Sequence, residues 1–296
     1  MKIMHPGTIA GNLSMIGNIM FPSYLIGGKT PCMFDAGVSA MGPLYLGDII
    51  PLLADGGLKH LFFTHSHYDH TGAWGYLSRF FPEIITYAHP LVSEVMRSPR
   101  ALATMTRLSS LFAGLFHEHT DHTEFLPPRI DRDLKDGDLI CLDEGIEIHV
   151  LETPGHTRDS LSYFLEPYRA VVPGEALGVI HPNGEVFPEF LNDYEAYISS
   201  ALKIMALGPE MILMPHGYAL TGEDAEAFLN EVIPATHRFH DMITDTLEHS
   251  GGDSDQATAM LFEQLYDEDG IGQERTAFLV NLEAKVRCVK KTLDTR

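Results

Sequence analysis

A dense group of residues that can bind metal ions stands in the segment HSHYDH at residues 65–70. The segment follows a short apolar run at residues 61–63, which predicts a buried strand. It precedes residues 73–81, whose pattern predicts a helix. The sequence therefore places potential ligands on the loop between a buried strand and a helix.

The spacing within this segment suits two ions. In an extended or tightly turning chain, residues two apart point the same way, so His65 and His67 can bind one ion. Asp69 and His70 fall past the turn and can face a second ion, as in two-metal hydrolytic sites. Imidazole with a single carboxylate suits zinc, iron or manganese better than calcium or magnesium. The segment therefore predicts a site for transition-metal ions.

The same spacing occurs a second time, in HEHTDH at residues 117–122. This copy follows an amphipathic helical pattern and runs into Pro127-Pro128, which is typical of a loop. The first copy has the strand before it and the helix after it. We therefore take the first copy as the metal motif, and the role of the second copy is left open.

Composition limits the classes of protein to consider. The chain has 296 residues, enough for one large domain or for a domain with an appendage. Its 45% hydrophobic and 21% charged residues are typical of globular proteins. No run of 18 apolar residues occurs, so we expect no membrane span. The three cysteines are scattered and odd in number, which favours a reducing compartment, and we expect a cytoplasmic protein.

The net charge is −21 with histidine neutral. A surface that binds nucleic-acid phosphates needs the opposite sign, so we expect no nucleic-acid partner. A small-molecule substrate fits better. Bound divalent cations would offset a few of these negative charges.

Three later candidate ligands each follow a predicted strand or precede one closely. His156 lies in the loop TPGHT, Glu175 in VPGE after the apolar run at 170–172, and His216 in MPHG after the run at 211–214. Open α/β architectures place their sites just past strand ends. The pattern therefore predicts that these loops meet at one edge of the fold.

Two predicted helical regions contain none of the candidate metal ligands. Residues 91–116 carry an apolar face formed by Leu102, Met105, Leu108, Phe112, Leu115 and Phe116. This face is typical of core packing or of a lid over an apolar substrate. From residue 223 onward the pattern is helical, with breaks expected near Pro234, Gly251-Gly252 and Gly270. This part could complete a substrate cleft or form a homodimer contact, and the pattern leaves both open.

Four segments together resemble the metallo-β-lactamase superfamily: Asp35-Ala36-Gly37, HSHYDH, TPGHT and MPHG. They occur in the expected order within residues 1–221. The resemblance implies an α+β fold, the αββα sandwich, in which two β-sheets lie face to face with helices outside. It also implies a dinuclear site at one edge of the sheets. We expect residues 1–221 to form this domain and residues 222–296 a C-terminal helical extension packed on it.

The resemblance also implies roles for single residues. One divalent ion (zinc, iron or manganese) would be bound by His65, His67 and His156, and a second by Asp69, His70 and His216. A water or hydroxide between the ions would be the nucleophile. Asp69 would orient it or carry its proton. The protein would then be a dinuclear metallohydrolase.

Glu175 departs from the superfamily pattern, which usually bridges the two metals with an aspartate. Glutamate keeps the charge and both oxygens and adds one methylene, so it can reach a metal if the backbone recedes. We predict that Glu175 is a ligand. An exposed glutamate that binds no metal is the alternative, and it would put metal occupancy in question.

The loop TPGHT followed by Arg158-Asp159-Ser160 resembles the thioesterase-like branch, which includes glyoxalase II and the quinolone-signal thioesterase. This favours a thioester or related small ester as the substrate. Lactone, sulfate-ester and phosphodiester hydrolysis stay open, as do a di-iron redox protein and a regulatory binding protein with a degenerate site. Aromatic residues near the later ligands are predicted to line an apolar substrate cleft: Phe187, Phe190, Tyr194 and Tyr218.

Overall fold

The computed structural model describes residues 1–53, 57–113, 124–181, 183–267 and 274–294. Its strands are β1 (Lys2–Ile3), β2 (Gly7–Ala10), β3 (Leu13–Gly17), β4 (Pro22–Ile26), β5 (Cys32–Phe34), β6 (His60–Phe62), β7 (Ile85–Ala88), β8 (Arg132–Asp133), β9 (Leu139–Cys141), β10 (Glu147–Glu152), β11 (Leu161–Glu166), β12 (Ala170–Val172), β13 (Val179–Ile180), β14 (Val186–Phe187), β15 (Met211–Ile212) and β16 (Ala219–Thr221). Its helices are α1 (Gly42–Ile49), α2 (Tyr68–Thr71), α3 (Trp74–Phe80), α4 (Pro90–Val95), α5 (Pro99–Ala113), α6 (Tyr194–Met205), α7 (Glu223–His249), α8 (Ser254–Leu265) and α9 (Arg275–Asp294).

The strands form two seven-stranded sheets in the described residues. One sheet has the order β2-β3-β4-β5-β6-β7-β8, and its last three pairings, β5 to β8, are parallel. The other has the order β1-β16-β15-β12-β11-β10-β9, in which β12 and β15 are parallel. A short hairpin, β13-β14, lies apart from both.

Side-chain alternation along the strands produces the layers of the molecule. In β4, Tyr24 and Ile26 enter the apolar cluster between the two sheets, whereas Leu25 points to the helices on the other face. The same alternation in β11 sends Tyr163 inward and Phe164 outward. These central strands are buried on both faces, and most of their residues are apolar. The result is four layers, with α1, α3 and α5 against one sheet and α6 and α7 against the other.

This architecture confirms the predicted α+β sandwich. The metal motif also lies where expected, since residues 63–67 follow β6 and α2 follows them. The apolar run at 170–172 is β12, and the run at 211–214 contains β15.

The helices after Thr221 differ from the prediction at one point. A break was expected near Pro234, but α7 continues through it from Glu223 to His249. Proline removes only one backbone donor, and the buried face of α7, which includes Phe228, Val232 and Phe239, holds the helix together across that position. The break at Gly251-Gly252 is present, with both glycines at positive φ. The expected break at Gly270 lies outside the described residues.

In the described residues, no helix is both long enough and apolar enough to cross a lipid bilayer. The longest helix, α7, carries charged residues along its exposed face.

Candidate metal centre

The candidate ligands come from loops at one edge of the two sheets. His65 and His67 follow β6, and Asp69 and His70 lie in the single turn of α2. His156 lies in the loop between β10 and β11, Glu175 follows β12 and His216 follows β15. The ends of neighbouring strands lie side by side, so ligands that are far apart in sequence meet at this edge.

The first group is formed by His65, His67 and His156. A ligand atom from each lies within 4.8 Å of the others. The His156 Nε2 is 3.1 Å from the His67 Nδ1. The ring centroids of His65 and His67 are 4.5 Å apart, and their planes are nearly perpendicular at 73°. Three imidazole nitrogens that converge in this way could hold one transition-metal ion.

The second group is formed by Asp69, His70 and His216, whose ligand atoms also lie within 4.8 Å of one another. The His216 Nε2 is 3.7 Å from the Asp69 Oδ2. This group is less deeply buried, since Asp69 and His216 keep part of their side chains exposed to the cavity.

Glu175 lies between the two groups. Its Oε1 is 2.8 Å from the His70 Nε2 and 3.3 Å from the His216 Nε2. Its Oε2 is 3.6 Å from the His65 Nε2 and 3.9 Å from the His156 Nε2. One carboxylate oxygen therefore faces each group, and the side chain is 5% exposed, so Glu175 is not the exposed glutamate of the alternative prediction.

Two buried atoms at this centre lack a hydrogen-bond partner among the described residues: the His65 Nε2 and the Glu175 Oε2. Buried polar atoms are rarely left unsatisfied, because each costs about 1–3 kcal/mol. Here both are good metal ligands, and they lie among other imidazole nitrogens. The donor set of imidazoles with two carboxylates fits zinc, iron or manganese.

The far side of three rings is anchored by an acceptor. The His70 Nδ1 is 2.8 Å from the Asp35 Oδ2, the His156 Nδ1 is 2.7 Å from the Glu189 carbonyl oxygen and the His216 Nδ1 is 2.8 Å from the Met20 carbonyl oxygen. An Nδ1–H that donates outward leaves Nε2 as a lone-pair donor that faces the centre. The anchors therefore fix both the tautomer and the ring orientation that metal binding needs.

Asp35 is itself held by two hydrogen bonds. The Thr64 backbone N–H donates to its Oδ1 at 2.8 Å, and the Thr64 hydroxyl donates to its Oδ2 at 2.8 Å. Asp35 has a positive φ of 58°, a conformation that non-glycine residues rarely adopt. Strained backbone of this kind persists where its surroundings hold it, often at a functional site.

Burial and neighbouring charges shift the pKa values of the histidines at this centre in opposite directions. Burial lowers the pKa of His65 well below its usual value and that of His156 to about 4, so both rings are neutral near pH 7. Burial also acts on His70, but the carboxylates of Glu175 and Asp35 on either side outweigh it and raise the pKa of His70. The protein has thus placed negative charge around the second group, which favours a cation there.

Glycine is required in the loop that carries His156. Gly155 has a φ of 135°, and a Cβ at this position would lie 2.4 Å from the backbone of Tyr197. Its amide donates to the Thr157 carbonyl at 3.0 Å. The tight turn lets the loop lie directly against α6, which brings the His156 ring to the other ligands.

A cavity of about 690 Å³ opens from the ligand cluster. Two of the four aromatic residues predicted to line a cleft, Phe187 and Tyr218, lie in its wall. The other two, Phe190 and Tyr194, are not part of the wall that the described residues form, because the start of α6 directs them into the interface with α7. Their rings pack against Phe239 and His240 there.

The apolar face predicted at 91–116 lies on α5, where it packs in the core and also borders the cavity; α4 (Pro90–Val95) is a separate helix. Met105, Leu108 and Phe112 belong to the hydrophobic core and also line the cavity. Leu102 packs at the edge of the core. Leu115, Phe116 and the second motif copy at 117–122 lie outside the described residues.

Sequence reasoning missed Glu189 and Lys285. The carbonyl of Glu189 anchors His156, and its carboxylate accepts a hydrogen bond from the Lys285 Nζ at 3.0 Å. A signal for Lys285 was present, because it occupies the apolar stripe of α9 between Leu282 and Val289. A lysine on such a stripe is buried only when a partner accompanies it.

Comparison with known families and structures agrees with this architecture. The family model described as the metallo-beta-lactamase superfamily matches residues 22–216. Among solved structures, the metallo-beta-lactamase family protein TTHA1429 from Thermus thermophilus superposes with a TM-score of 0.66 at 17% identity. The match covers 94% of this chain and 93% of that one. At this identity the likeness establishes the fold alone.

Two curated relatives add chemical information about themselves. The probable metallo-hydrolase YflN of Bacillus subtilis (strain 168) is 27% identical over 222 residues, 68% of this chain and 80% of that protein. The atrochrysone carboxyl ACP thioesterase dmxR1 of Cryptosporiopsis sp. (strain 8999) is 26% identical over 156 residues. That match covers 52% of this chain and only 37% of the thioesterase.

Proposed function

The chain belongs to the metallo-β-lactamase superfamily of hydrolases, and from this premise we propose that it hydrolyses a thioester or a related small ester with the aid of two divalent transition-metal ions. The observation that carries the proposal is the position of Glu175. Its two oxygens face two separate groups of ligands at the inner end of a cavity.

Each group supplies enough donors for one ion. His65, His67 and His156 would bind the first, and Asp69, His70 and His216 the second, with Glu175 between them. When bound, such ions polarise a substrate carbonyl and lower the pKa of a water molecule toward neutrality.

The residues of the chain then have defined tasks. The carbonyl of Met20 and the carboxylate of Asp35 hold their histidine rings in place, so little reorganisation is needed during the reaction. Asp69 lines the cavity with its carboxylate partly exposed. We assign its Oδ2 to orient the attacking water and to accept its proton.

The charge of the cavity wall favours a neutral substrate. The described wall contains the carboxylates of Asp69, Glu175 and Glu189, and its one Lys or Arg side chain, Arg100, is exposed. A phosphodiester or sulfate ester carries a negative charge that these carboxylates would repel, whereas a thioester does not. The thiolate that leaves is also a weak base and needs no strong acid from the protein. The fungal relative named as a thioesterase is in keeping with this choice.

The test is a substrate panel with the metal-loaded protein. Thioesters, lactones, phosphodiesters and sulfate esters would be compared before and after metal removal by a chelator. We expect thioesters to react fastest, and His67→Ala to abolish turnover. His249→Ala is the control, because this exposed histidine at the end of α7 lies away from the centre.

Any other outcome would change the substrate class, the functional class or the site that we propose. A faster reaction with lactones or phosphodiesters would replace the substrate class and retain the metallohydrolase. Full metal occupancy with no hydrolysis of any substrate would favour the redox or binding classes. Turnover that survives both the chelator and His67→Ala would contradict the metal centre as the site of reaction.

A further inference from the structure

The cavity beyond the ligand cluster has a strongly apolar wall. Besides the ligand loops and the loop at residues 19–21, three elements contribute to this wall: α5, the hairpin β13-β14 and α9. Their apolar lining residues are Ala101, Met105, Leu108 and Phe112 from α5, Val179, Ile180 and Phe187 from the hairpin, and Ala277, Phe278 and Val280 from α9. We call this region the helical cleft.

The helical cleft is continuous with the metal centre. The same cavity is lined by His67, His156, Glu175 and His216 at one end and by Phe112 and Phe278 along its walls. Its volume of about 690 Å³ lies in the range of sites that enclose a ligand of drug-like size. A molecule whose carbonyl reaches the ions can therefore place one of the two groups attached to that carbonyl in the cleft.

Away from the ligand cluster, most polar residues of the wall are exposed or partly exposed; the buried exceptions are Tyr68 and Glu189, whose carboxylate is paired with Lys285. Arg100 is exposed, and His181 and Asn281 are partly exposed. The buried residues that α5 and α9 contribute include Met105, Leu108, Phe112 and Phe278, which have no polar side-chain atom except the methionine sulfur. Buried helix faces without donors or acceptors favour a hydrocarbon group between them and disfavour a sugar, a peptide or a nucleotide.

We propose that the helical cleft binds the acyl part of the substrate, and that this part is a bulky hydrocarbon group such as a long-chain or aromatic acyl group. This inference rests on the proposed thioester or ester hydrolysis and names its substrate class. The acyl carbonyl lies at the metal centre and the hydrocarbon extends between α5 and α9. The leaving thiol or alcohol lies toward solvent.

A series of thioesters of one thiol tests the proposal on the metal-loaded protein. The acyl group is lengthened from acetyl through butyryl, hexanoyl and octanoyl to decanoyl. Each methylene that enters the cleft raises kcat/KM by about fourfold, which corresponds to about 0.8 kcal/mol. The rise stops where the chain fills the cleft.

Two alanines of α5 provide a matched pair of variants. Ala101 lines the cleft, whereas Ala103 is exposed on the other side of the same helix. Ala101→Trp should lower kcat/KM for the decanoyl thioester by about tenfold or more and change that for acetyl by less than about twofold. Ala103→Trp should change neither. Similar values along the series, or an equal loss for both substrates in Ala101→Trp, would overturn the proposal.

A binding measurement separates this inference from the hydrolase proposal. The probe is a fluorescent long-chain fatty acid, titrated into the metal-loaded wild-type protein and both variants. Binding that Ala101→Trp weakens and Ala103→Trp does not supports the cleft, even if no thioester is hydrolysed, in which case only the hydrolase proposal fails. If short thioesters are hydrolysed but kcat/KM does not rise along the acyl series and the probe does not bind, the cleft proposal is overturned and the hydrolase proposal stays intact.

A second observation concerns a buried ion pair behind the cavity wall. Lys285 of α9 is 1% exposed, and its Nζ lies 3.0 Å from the Glu189 Oε1. The same Nζ lies 4.1 Å from the centroid of the Phe187 ring, which favours a cation there. The backbone carbonyl of Glu189 accepts the hydrogen bond from His156.

We infer that Lys285 is a positioning residue for His156. A lysine without its partner charge is costly inside a protein, so the ion pair fixes the backbone at Glu189 relative to α9. That backbone sets the orientation of the His156 ring, and metal affinity depends on ring orientation. Through this contact α9 contributes to the metal centre without touching an ion.

Metal affinity tests this role directly. Lys285→Met keeps the length of the side chain and removes its charge, and it should lower the affinity of one ion by about 10- to 100-fold in chelator competition. Lys290→Met is the control on the same helix, since the Lys290 Nζ contacts the Gly252 carbonyl instead. Should Lys285→Met fail to fold, Glu189→Gln removes the other charge and keeps the backbone carbonyl.

Measuring Tm together with metal affinity distinguishes a positioning role of Lys285 from a purely structural one. A variant with a lower Tm and unchanged metal affinity would show that Lys285 is only structural and would overturn this inference. If the wild-type protein binds no divalent metal at all, the proposed function fails instead.

Discussion

The two ends of the cavity are built in different ways. At the metal end, seven polar side chains from separate loops converge, and acceptors behind the rings fix three of the histidines. At the other end, apolar side chains from α5 and α9 form walls with few polar atoms. The first end is suited to activate a bond, and the second is suited to recognise what is attached to it.

The two ends also differ in their relation to the family. The family model matches residues 22–216, which contain all seven candidate ligands. The wall formed by α9 begins at Arg275, beyond that match. The residues of the proposed chemistry therefore lie within the family match, whereas the cleft that we propose to select the substrate also uses α9, outside that match. Changes at one end should therefore leave the function of the other largely intact.

The largest effect is expected from His67→Ala. It removes a ligand whose Nδ1 faces His156, so metal content should fall from about two ions toward about one. Turnover should fall by more than about 100-fold, because losses of supporting residues already reach that size. Elemental analysis and kinetics with a short thioester measure both. Retention of both ions would exclude His67 as a ligand.

The second-largest effect is expected from Glu175→Gln. The amide keeps the shape but removes the charge between the two groups, so affinity for at least one ion should fall by about 100-fold. Glu175→Asp restores the usual family residue with a shorter reach. Its metal affinity reports whether the loop after β12 can move toward the ions. Unchanged stoichiometry, affinity and turnover in Glu175→Gln would make this residue a bystander.

Asp35→Asn should have a smaller effect. The amide no longer offers a charged acceptor to the His70 Nδ1, although the Thr64 backbone can still donate to its oxygen. Metal affinity should fall by about tenfold, with a conserved fold by circular dichroism. Equal affinities for Asp35→Asn and the wild type would show that the carboxylate does not support the centre.

Phe278→Ala probes the opposite end. It removes the Phe278 ring from the α9 wall of the cleft. This should lower kcat/KM for a decanoyl thioester by about fivefold, because apolar contact area is lost. Metal affinity should stay within about twofold of the wild type. A large loss of metal affinity would show that the two ends are not separable.

The smallest effect is expected from His119→Ala in the second motif copy. Its metal content and turnover should equal those of the wild type, since the seven ligands of the first centre are complete without it. Loss of metal in this variant would mean that the second copy, and not the first, binds the ions.

The convergence of the candidate ligands could be predicted because the sequence information for it is local. Ligands such as His65 and His70 follow strands that their apolar runs predict, and strand ends meet at one edge of a sheet. Asp35 was recognised as part of a family segment, although its hydrogen bond to His70 depends on a positive φ that the sequence does not reveal.

The helical end could not be predicted to the same degree, because it depends on how distant helices pack. Phe190 and Tyr194 lie close in sequence to Phe187, yet the start of α6 turns them into the interface with α7. Periodicity shows that α9 has an apolar face, but not that part of this face borders the cavity. Similarly, Lys285 on that face indicated a buried charge without naming Glu189 as its partner.

The most direct test of the central claim is a metal titration of the wild-type protein after complete removal of metal. The protein would be titrated with Zn²⁺, Fe²⁺ and Mn²⁺ in turn, with a chelator competing for the ion and elemental analysis fixing the end point. We predict about two ions per chain, since two groups of ligands share Glu175. Fewer than about half an equivalent of every ion, with no rebinding, would contradict the dinuclear centre.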